Sequence, residues 1–377
     1  MKQKEKNFSL KDQLFNREKV SYIAELIHDA YPDFQTIKFV DDVVEKFPEL
    51  ELMDRIHHIV DILEIYLVHS NDVLDYRESL KILLSALPRE LDPDKHDDDF
   101  GDFILAPYGF FVAKYGCKEE YLDISLDALE QMTKRFSVEW AIRFFLNAFP
   151  DQTFTRMLEW ARSDNYHVRR LSSEGTRPNL PWGHKISLQY QEPLQILDIL
   201  AHDERRFVTR SIANHLNDIS KKDPKLVVDT LKKWQSQECQ DIEYMISHAT
   251  RTLVKNGYIP AFELLGYSSH PQINMSDICL KNDSVKIGNE LEFSFQITPH
   301  KQEKLMIDYT IYFIGKTGKL SPKVFKIKKG TFTHAVHITK KHPFKLMTTK
   351  ALYPGEHLLE ITINGTSVGK KSFTLIG

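Results

Sequence analysis

Between His167 and Gly183 the chain reads HVRRLSSEGTRPNLPWG, which gathers Arg169, Arg170, Glu174, Arg177 and Trp182 into one short segment. These groups suit chemistry on charged molecules. A carboxylate steadies positive charge or orients water, guanidiniums bind anions, and an indole face attracts cations. Asp164-Asn165 are good helix N-caps and Gly175 is a natural helix stop, so a helix is predicted to carry Arg169, Arg170 and Glu174. Pro178 and Pro181 then stiffen a loop on either side of Leu180, and that loop ends at Trp182-Gly183. Nothing in core packing requires a proline-braced loop to present Trp182. On these residues alone a second reading stays open, in which Trp182 plugs a gap between helices and the arginines form surface ion pairs.

The elements that position this segment are helical. Up to about Gly266 apolar residues recur at three and four, as in Ile56, Ile59, Val60, Leu63 and Leu67, the spacing of one helix face. Pro32, Pro48, Pro88, Pro150 and Pro224 fall between these runs, where helices start or stop. Val138, Val168, Val208 and Ile242 each open a similar run, and two second helices end alike in Leu158-Glu159-Trp160 and Lys232-Lys233-Trp234. Paired helices at this recurrence point to a HEAT- or armadillo-like helical-repeat solenoid. Pro107-Tyr108-Gly109-Phe110-Phe111 reads as repeat core, and the acidic run from Asp92 to Asp99 reads as a solvated connection.

After Gly266-Tyr267 the period changes to two. Glu290 to Ile297, Met306 to Phe313, Lys323 to Ile327, Thr331 to Ile338 and His357 to Ile363 alternate. Lys316-Thr317-Gly318, Lys329-Gly330, Pro354-Gly355 and Asn364-Gly365 read as turns. About seven short strands suit a small all-β immunoglobulin-like sandwich. The expected organisation is therefore a helical-repeat domain over residues 1–266 and a β-sandwich over residues 271–377.

Net charge is −3, but from Pro271 onward sixteen Lys and no Arg face eight Asp plus Glu, a net +8 that leaves −11 for the rest. A basic end on an acidic body suggests a surface that meets phosphate. Cys117, Cys239 and Cys279 are far apart, so neither a disulfide framework nor a zinc spacing is expected. No apolar run reaches bilayer length and the first residues lack a signal-peptide core, so a cytoplasmic bacterial protein without membrane contact is the expectation. Gly315-Lys316-Thr317 lacks the glycine a phosphate loop needs, since position 310 is Thr.

The run HVRRLSSEGTRPNLPWG resembles the hallmark segment of the AlkC branch of the DNA-alkylation repair family, whose sister branch is AlkD. RFVTRSIANHLNDIS, from Arg206 to Ser220, is similar to the following repeat of that family. The resemblance runs in architecture from Leu14 to Leu265, and AlkC proteins also carry a C-terminal immunoglobulin-like extension. It implies a monofunctional DNA glycosylase that excises N3-methylated bases, chiefly 3-methyladenine and, for the AlkC branch, 3-methylcytosine. Glu174 and Trp182 fall on the catalytic carboxylate and the active-site tryptophan. Asp218 is the candidate second carboxylate, and Glu139, one repeat earlier, a further acidic candidate. Arg169, Arg170, Arg177, Arg206 and Arg210 would contact the DNA backbone, with Arg143 and Arg251 joining from flanking repeats. The partner would be double-stranded DNA with alkylated bases, met by a monomer, and neither metal nor cofactor is implied. The alternative is a noncatalytic helical-repeat scaffold that binds DNA or protein.

Overall fold

The computed structural model describes residues 9–67, 75–97, 99–345 and 351–377. Residues 1–219 with 234–245 form one compact unit, and residues 220–233 with 246–377 form a second. In the first, helices follow one another from Arg17–Ala30 through Leu52–Leu67, Ala106–Gly116 and Leu122–Thr133 to Ile142–Ala148 and Pro150–Trp160. Tyr166–Gly175, Leu194–Leu200 and Arg206–Ile219 complete the region around the His167–Gly183 segment. Pro150 opens its helix at the first position, where its missing N–H costs nothing. Among the described residues no helix is long and apolar enough to cross a membrane.

The repeat seen in sequence has a structural counterpart. Trp160 is buried and donates its indole N–H to Glu130 Oε2 at 2.8 Å, while Trp234, also buried, donates to Asp198 Oδ1 at 2.7 Å. Each indole thus plugs into the preceding repeat, satisfies its only donor there, and adds a large apolar area to the core. Val168 and Val208 are both fully buried at the same place, third in the Tyr166–Gly175 and Arg206–Ile219 helices. Tyr108 and Phe111 are likewise core residues.

The Tyr166–Gly175 helix packs on its neighbours Leu122–Thr133, Pro150–Trp160, Leu194–Leu200 and Arg206–Ile219. Asn165 caps it by accepting from the His167 and Val168 amides at 2.9 and 3.4 Å. Its end differs from the expectation. Gly175 is the last helical residue and Thr176 follows with φ −92°, so no left-handed glycine stops the helix. What Gly175 supplies is room, since a Cβ there would stand 2.7 Å from Ile142 Cγ2 and 3.0 Å from Met157 Cε.

The second unit carries two sheets. Their strands are β1 (Ile273–Met275), β2 (Cys279–Leu280), β3 (Ser284–Lys286), β4 (Glu290–Pro299), β5 (Glu303–Ile314), β6 (Leu320–Phe332), β7 (Val336–Pro343), β8 (Gly355–Ile363) and β9 (Thr366–Ile376). One sheet runs β1-β4-β2 with β7 also on β4, and the other runs β3-β9-β8-β5-β6. Phe293, Phe295, Ile307, Ile311, Leu359 and Phe344 fill the space between them. Among the described residues there are nine strands where about seven were expected, because short pieces at 273–286 carry little alternation. Lys329-Gly330 is strand, paired with Met306 and Leu305, and the chain turns after Phe332, within the run read as Thr331 to Ile338. Asn364-Gly365 is the turn expected. Both residues have positive φ, 49° and 82°, as a tight hairpin turn requires.

Candidate active site

Three carboxylates and two guanidiniums interlock at the end of the Tyr166–Gly175 helix. Arg177 Nη1 donates to Glu174 Oε1 at 2.5 Å, and its Nε donates to Asp218 Oδ2 at 3.0 Å. Arg170 Nη1 donates to Glu139 Oε2 at 2.9 Å and to Ser137 Oγ at 3.0 Å, and its Nη2 lies 3.8 Å from Glu174 Oε1. Ser211 Oγ donates to the other Glu174 oxygen at 2.5 Å. Glu174, Asp218, Arg170 and Arg177 are all buried, and Glu139 keeps only 15% of its side chain exposed. Charges this far from water persist only when paired and hydrogen-bonded, and here each finds a partner.

The surroundings push the two cavity carboxylates apart. For Glu174 burial works upward, but Arg170, Arg177 and the Ser211 hydrogen bond outweigh it and hold the carboxyl below its ordinary value of 4.5. For Glu139 burial dominates, the Glu174 charge adds to it, and the carboxyl is pushed above 4.5 despite Arg170. One group is thus held ionised while its neighbour keeps a higher proton affinity, the pattern that separates acid from base roles.

A cavity of about 430 Å³ opens on this cluster. Glu139, Glu174, Arg170 and Arg177 form its polar wall, and Phe100, Phe207, Trp140 and Trp182 stand among its aromatic lining. The Arg170 guanidinium sits 4.4 Å from the Phe207 ring centre and 5.6 Å from that of Phe100. A planar cation with a carboxylate partner is therefore already at home against these rings, which meet each other edge to face.

The loop that closes the cavity is held from behind by Arg143, which is fully buried. Its guanidinium donates to the carbonyls of Gly175 and Arg177 at 2.8 Å and to that of His184. Burial, with Arg177 nearby, lowers its pKa to about 10. Trp140 donates its indole N–H to the Pro181 carbonyl at 3.0 Å, and its ring lies 6.0 Å from Trp182. Trp182 itself is 59% exposed at φ +59°, a left-handed conformation that costs a non-glycine residue about 1–2 kcal/mol. A large apolar side chain that is both exposed and strained is not serving the core.

Two family models match the chain. The DNA alkylation repair enzyme model covers residues 113–253, and a C-terminal Ig-like domain model described for the uncharacterised protein YhaZ covers residues 274–377. A Bacillus subtilis (strain 168) protein described as uncharacterised protein YhaZ is 34% identical over 359 residues, spanning 94% of this chain and 96% of that one. The structure also superposes on a Pseudomonas fluorescens alkylpurine DNA glycosylase, AlkC, bound to DNA containing an abasic site analogue. The TM-score is 0.83 at 30% identity, over 98% of this chain and all of that one. The chain belongs to the DNA alkylation repair enzyme family, in its AlkC branch. Its fold is accordingly the helical-repeat region of that branch followed by the Ig-like β domain.

Against that family frame, Glu139, Glu174 and Trp182 all line one cavity. Asp218 does not line it and is joined to it through Arg177. The arginines separate into two groups. Arg170 and Arg177 are inside the carboxylate cluster, 6–8% exposed and paired to Glu139 and Glu174, which they hold in place at the cavity wall. Arg143 is likewise an internal brace. Arg169 pairs with Asp203, Arg206 with Asp241, and Arg210 with Asp97, each of these arginines being partly exposed. Arg251 donates to the His248 carbonyl.

Sequence reasoning missed Phe100, Phe207, Trp140 and Ser211. It also took the Asp92 to Asp99 run for a solvated connection. Asp98 lies outside the described residues, but Asp99 is buried and accepts from Lys95 at 3.1 Å and Tyr166 at 3.3 Å. His96 offers its carbonyl to the Phe207 amide, so this loop ties the two site helices together and delivers Phe100 to the cavity. The only local signal was the density of acids facing an arginine-rich partner segment.

Proposed function

We propose that this chain is a DNA glycosylase that releases cationic N3-alkylated bases, 3-methyladenine and 3-methylcytosine, from duplex DNA in base excision repair. The carrying observation is the buried Glu174 carboxylate, held by Arg177 and Ser211 at the wall of an aromatic cavity. Methylation makes the base cationic, so the C1′–N bond breaks with its electron pair going to the base, which departs neutral. The sugar takes on positive charge, and a water oxygen bonds to C1′ while giving up a proton. Glu174 supplies the negative charge whose effect grows as the sugar becomes cationic. Glu139, with its higher proton affinity, is the better acceptor for the proton from water. Asp218 acts as a positioning residue, holding Arg177 and through it the Glu174 carboxylate. Trp182 offers its indole face to the cationic base, an attraction of about 0.5–2 kcal/mol.

Arg169, Arg206 and Arg210 remain our candidates for phosphate contact, since each keeps part of its surface, and the lysine-rich β domain adds a salt-dependent grip. We place this activity in the bacterial cytoplasm, performed by a monomer. The chemistry calls for no metal because the leaving base carries its own activating charge. The test is base release from methylated duplex DNA by the purified chain. Release of 3-methyladenine supports the reading, and duplex binding without release makes the chain a noncatalytic scaffold.

A further inference from the structure

A second cavity, of about 670 Å³, lies within the C-terminal compact unit and shares no residue with the one around Glu174. One side is the Arg251–Lys255 helix and Leu265, and the other is the outward face of β5 and β6. Outward faces of sandwich sheets ordinarily carry solvated polar residues. Here the helical segments cover that face, and one of its polar residues, Asp308, is only 8% exposed with no hydrogen-bond partner for Oδ1. Asp308 stands where β5 shifts register against β6, opposite Lys326. Burial raises its carboxyl to about 6, and Lys326 opposes that shift.

A buried carboxyl oxygen without a donor is costly and calls for a ligand that brings one. The other lining groups limit that ligand. Lys326, Lys328 and Lys329 line the same cavity and ask for an anion, while Leu265 and Met306 offer an apolar surface. Inorganic phosphate would meet the lysines and carries an O–H of its own, but it has nothing to lay against Leu265 and Met306. A fatty anion would have the apolar body and no donor. A nucleoside phosphate has all three parts: a flat ring, N–H groups along the base edge, and a phosphate at the far end.

We propose that this cavity binds a nucleoside phosphate, the base edge donating to Asp308 and the phosphate held by Lys326, Lys328 and Lys329. Guanine suits Asp308 best, because its N1–H and N2–H₂ donors are adjacent, whereas thymine offers one. The nucleotide is either free or part of a single DNA strand, and competition tells these apart. The inference goes beyond the glycosylase reading and does not rest on it.

Isothermal titration of the full chain with dGMP tests it. The expected result is saturable binding that weakens at least tenfold in Asp308→Ala and in Lys326→Ala, and is unchanged in Glu174→Gln. Lys326 is exposed, so its variant keeps the test valid where Asp308→Ala fails to fold. Inorganic phosphate at equal concentration should not displace dGMP. If a single-stranded oligonucleotide displaces dGMP the source is a DNA strand, and if it does not the source is the free nucleotide. No binding by the wild type, full binding by both cavity variants, or loss of binding in Glu174→Gln would overturn the proposal.

Discussion

Glu174 and Arg177, three residues apart across the end of one helix, share a 2.5 Å charge-assisted hydrogen bond in a place where both are more than nine-tenths buried. Arg177 then reaches on to Asp218, 41 residues away, so one guanidinium holds two acids from two helices. Local sequence supplies the first bond, and the fold supplies the second.

Arg177→Met should therefore be costly, because it leaves Glu174 and Asp218 buried with their shared cation removed. The expected loss is about 3–5 kcal/mol, measured by denaturant unfolding. A loss under about 1 kcal/mol would mean that the two acids do not depend on Arg177.

Ser211→Ala removes a donor from Glu174 Oε2, and that hydrogen bond helps to hold the carboxyl below 4.5. The Glu174 pKa should rise, which moves the acid limb of the kcat/KM profile to higher pH while DNA binding is retained. An unmoved acid limb would separate Glu174 ionisation from the rate.

The residues of this cavity differ in how far the sequence announces them. Glu174 and Trp182 were legible because a helix cap, two prolines and a resemblance mark their segment, and Glu139 was a candidate through the resemblance alone; all three line one cavity. The partners were not legible. Arg169 with Asp203, Arg206 with Asp241 and Arg210 with Asp97 are pairings across 34, 35 and 113 residues, and charge type alone does not say which acid the fold will deliver. Phe100 was invisible for the same reason. In the β domain, alternation located the long strands, but Lys329-Gly330 looks like a turn while pairing as a strand, and a glycine there has no side chain to announce its face.

Trp182→Ala should separate activity from stability. The side chain is largely exposed and its backbone is strained, so unfolding free energy should change by under about 1 kcal/mol. Release of 3-methyladenine should fall about 2- to 30-fold, the equivalent of the lost cation attraction. A collapse in stability with the rate per folded molecule unchanged would return Trp182 to a packing role.

His215 makes stability depend on pH. It is fully buried beside the Ser173 carbonyl, and burial lowers its pKa from 6.5 to about 3. The unfolded chain takes up a proton below 6.5 and the folded chain does not until about 3, so this contribution is present above 6.5 and is lost as pH falls. Between pH 6.5 and 5 the loss is at most about 2 kcal/mol. His167, lowered by burial to about 4, acts in the same direction. Unfolding of wild type and His215→Gln at pH 7 and pH 5 should show the smaller loss in the variant, and equal losses would refute the assignment.

Under the proposed function, an ionised Glu174 drives base release. The direct measurement is release of 3-methyladenine from methylated duplex DNA by wild type and Glu174→Gln, with duplex binding measured alongside. We predict a fall of about 100-fold or more with binding retained, since the variant keeps its shape and loses its charge. Release by Glu174→Gln at the wild-type rate would contradict the account and leave Glu174 as a structural partner of Arg177.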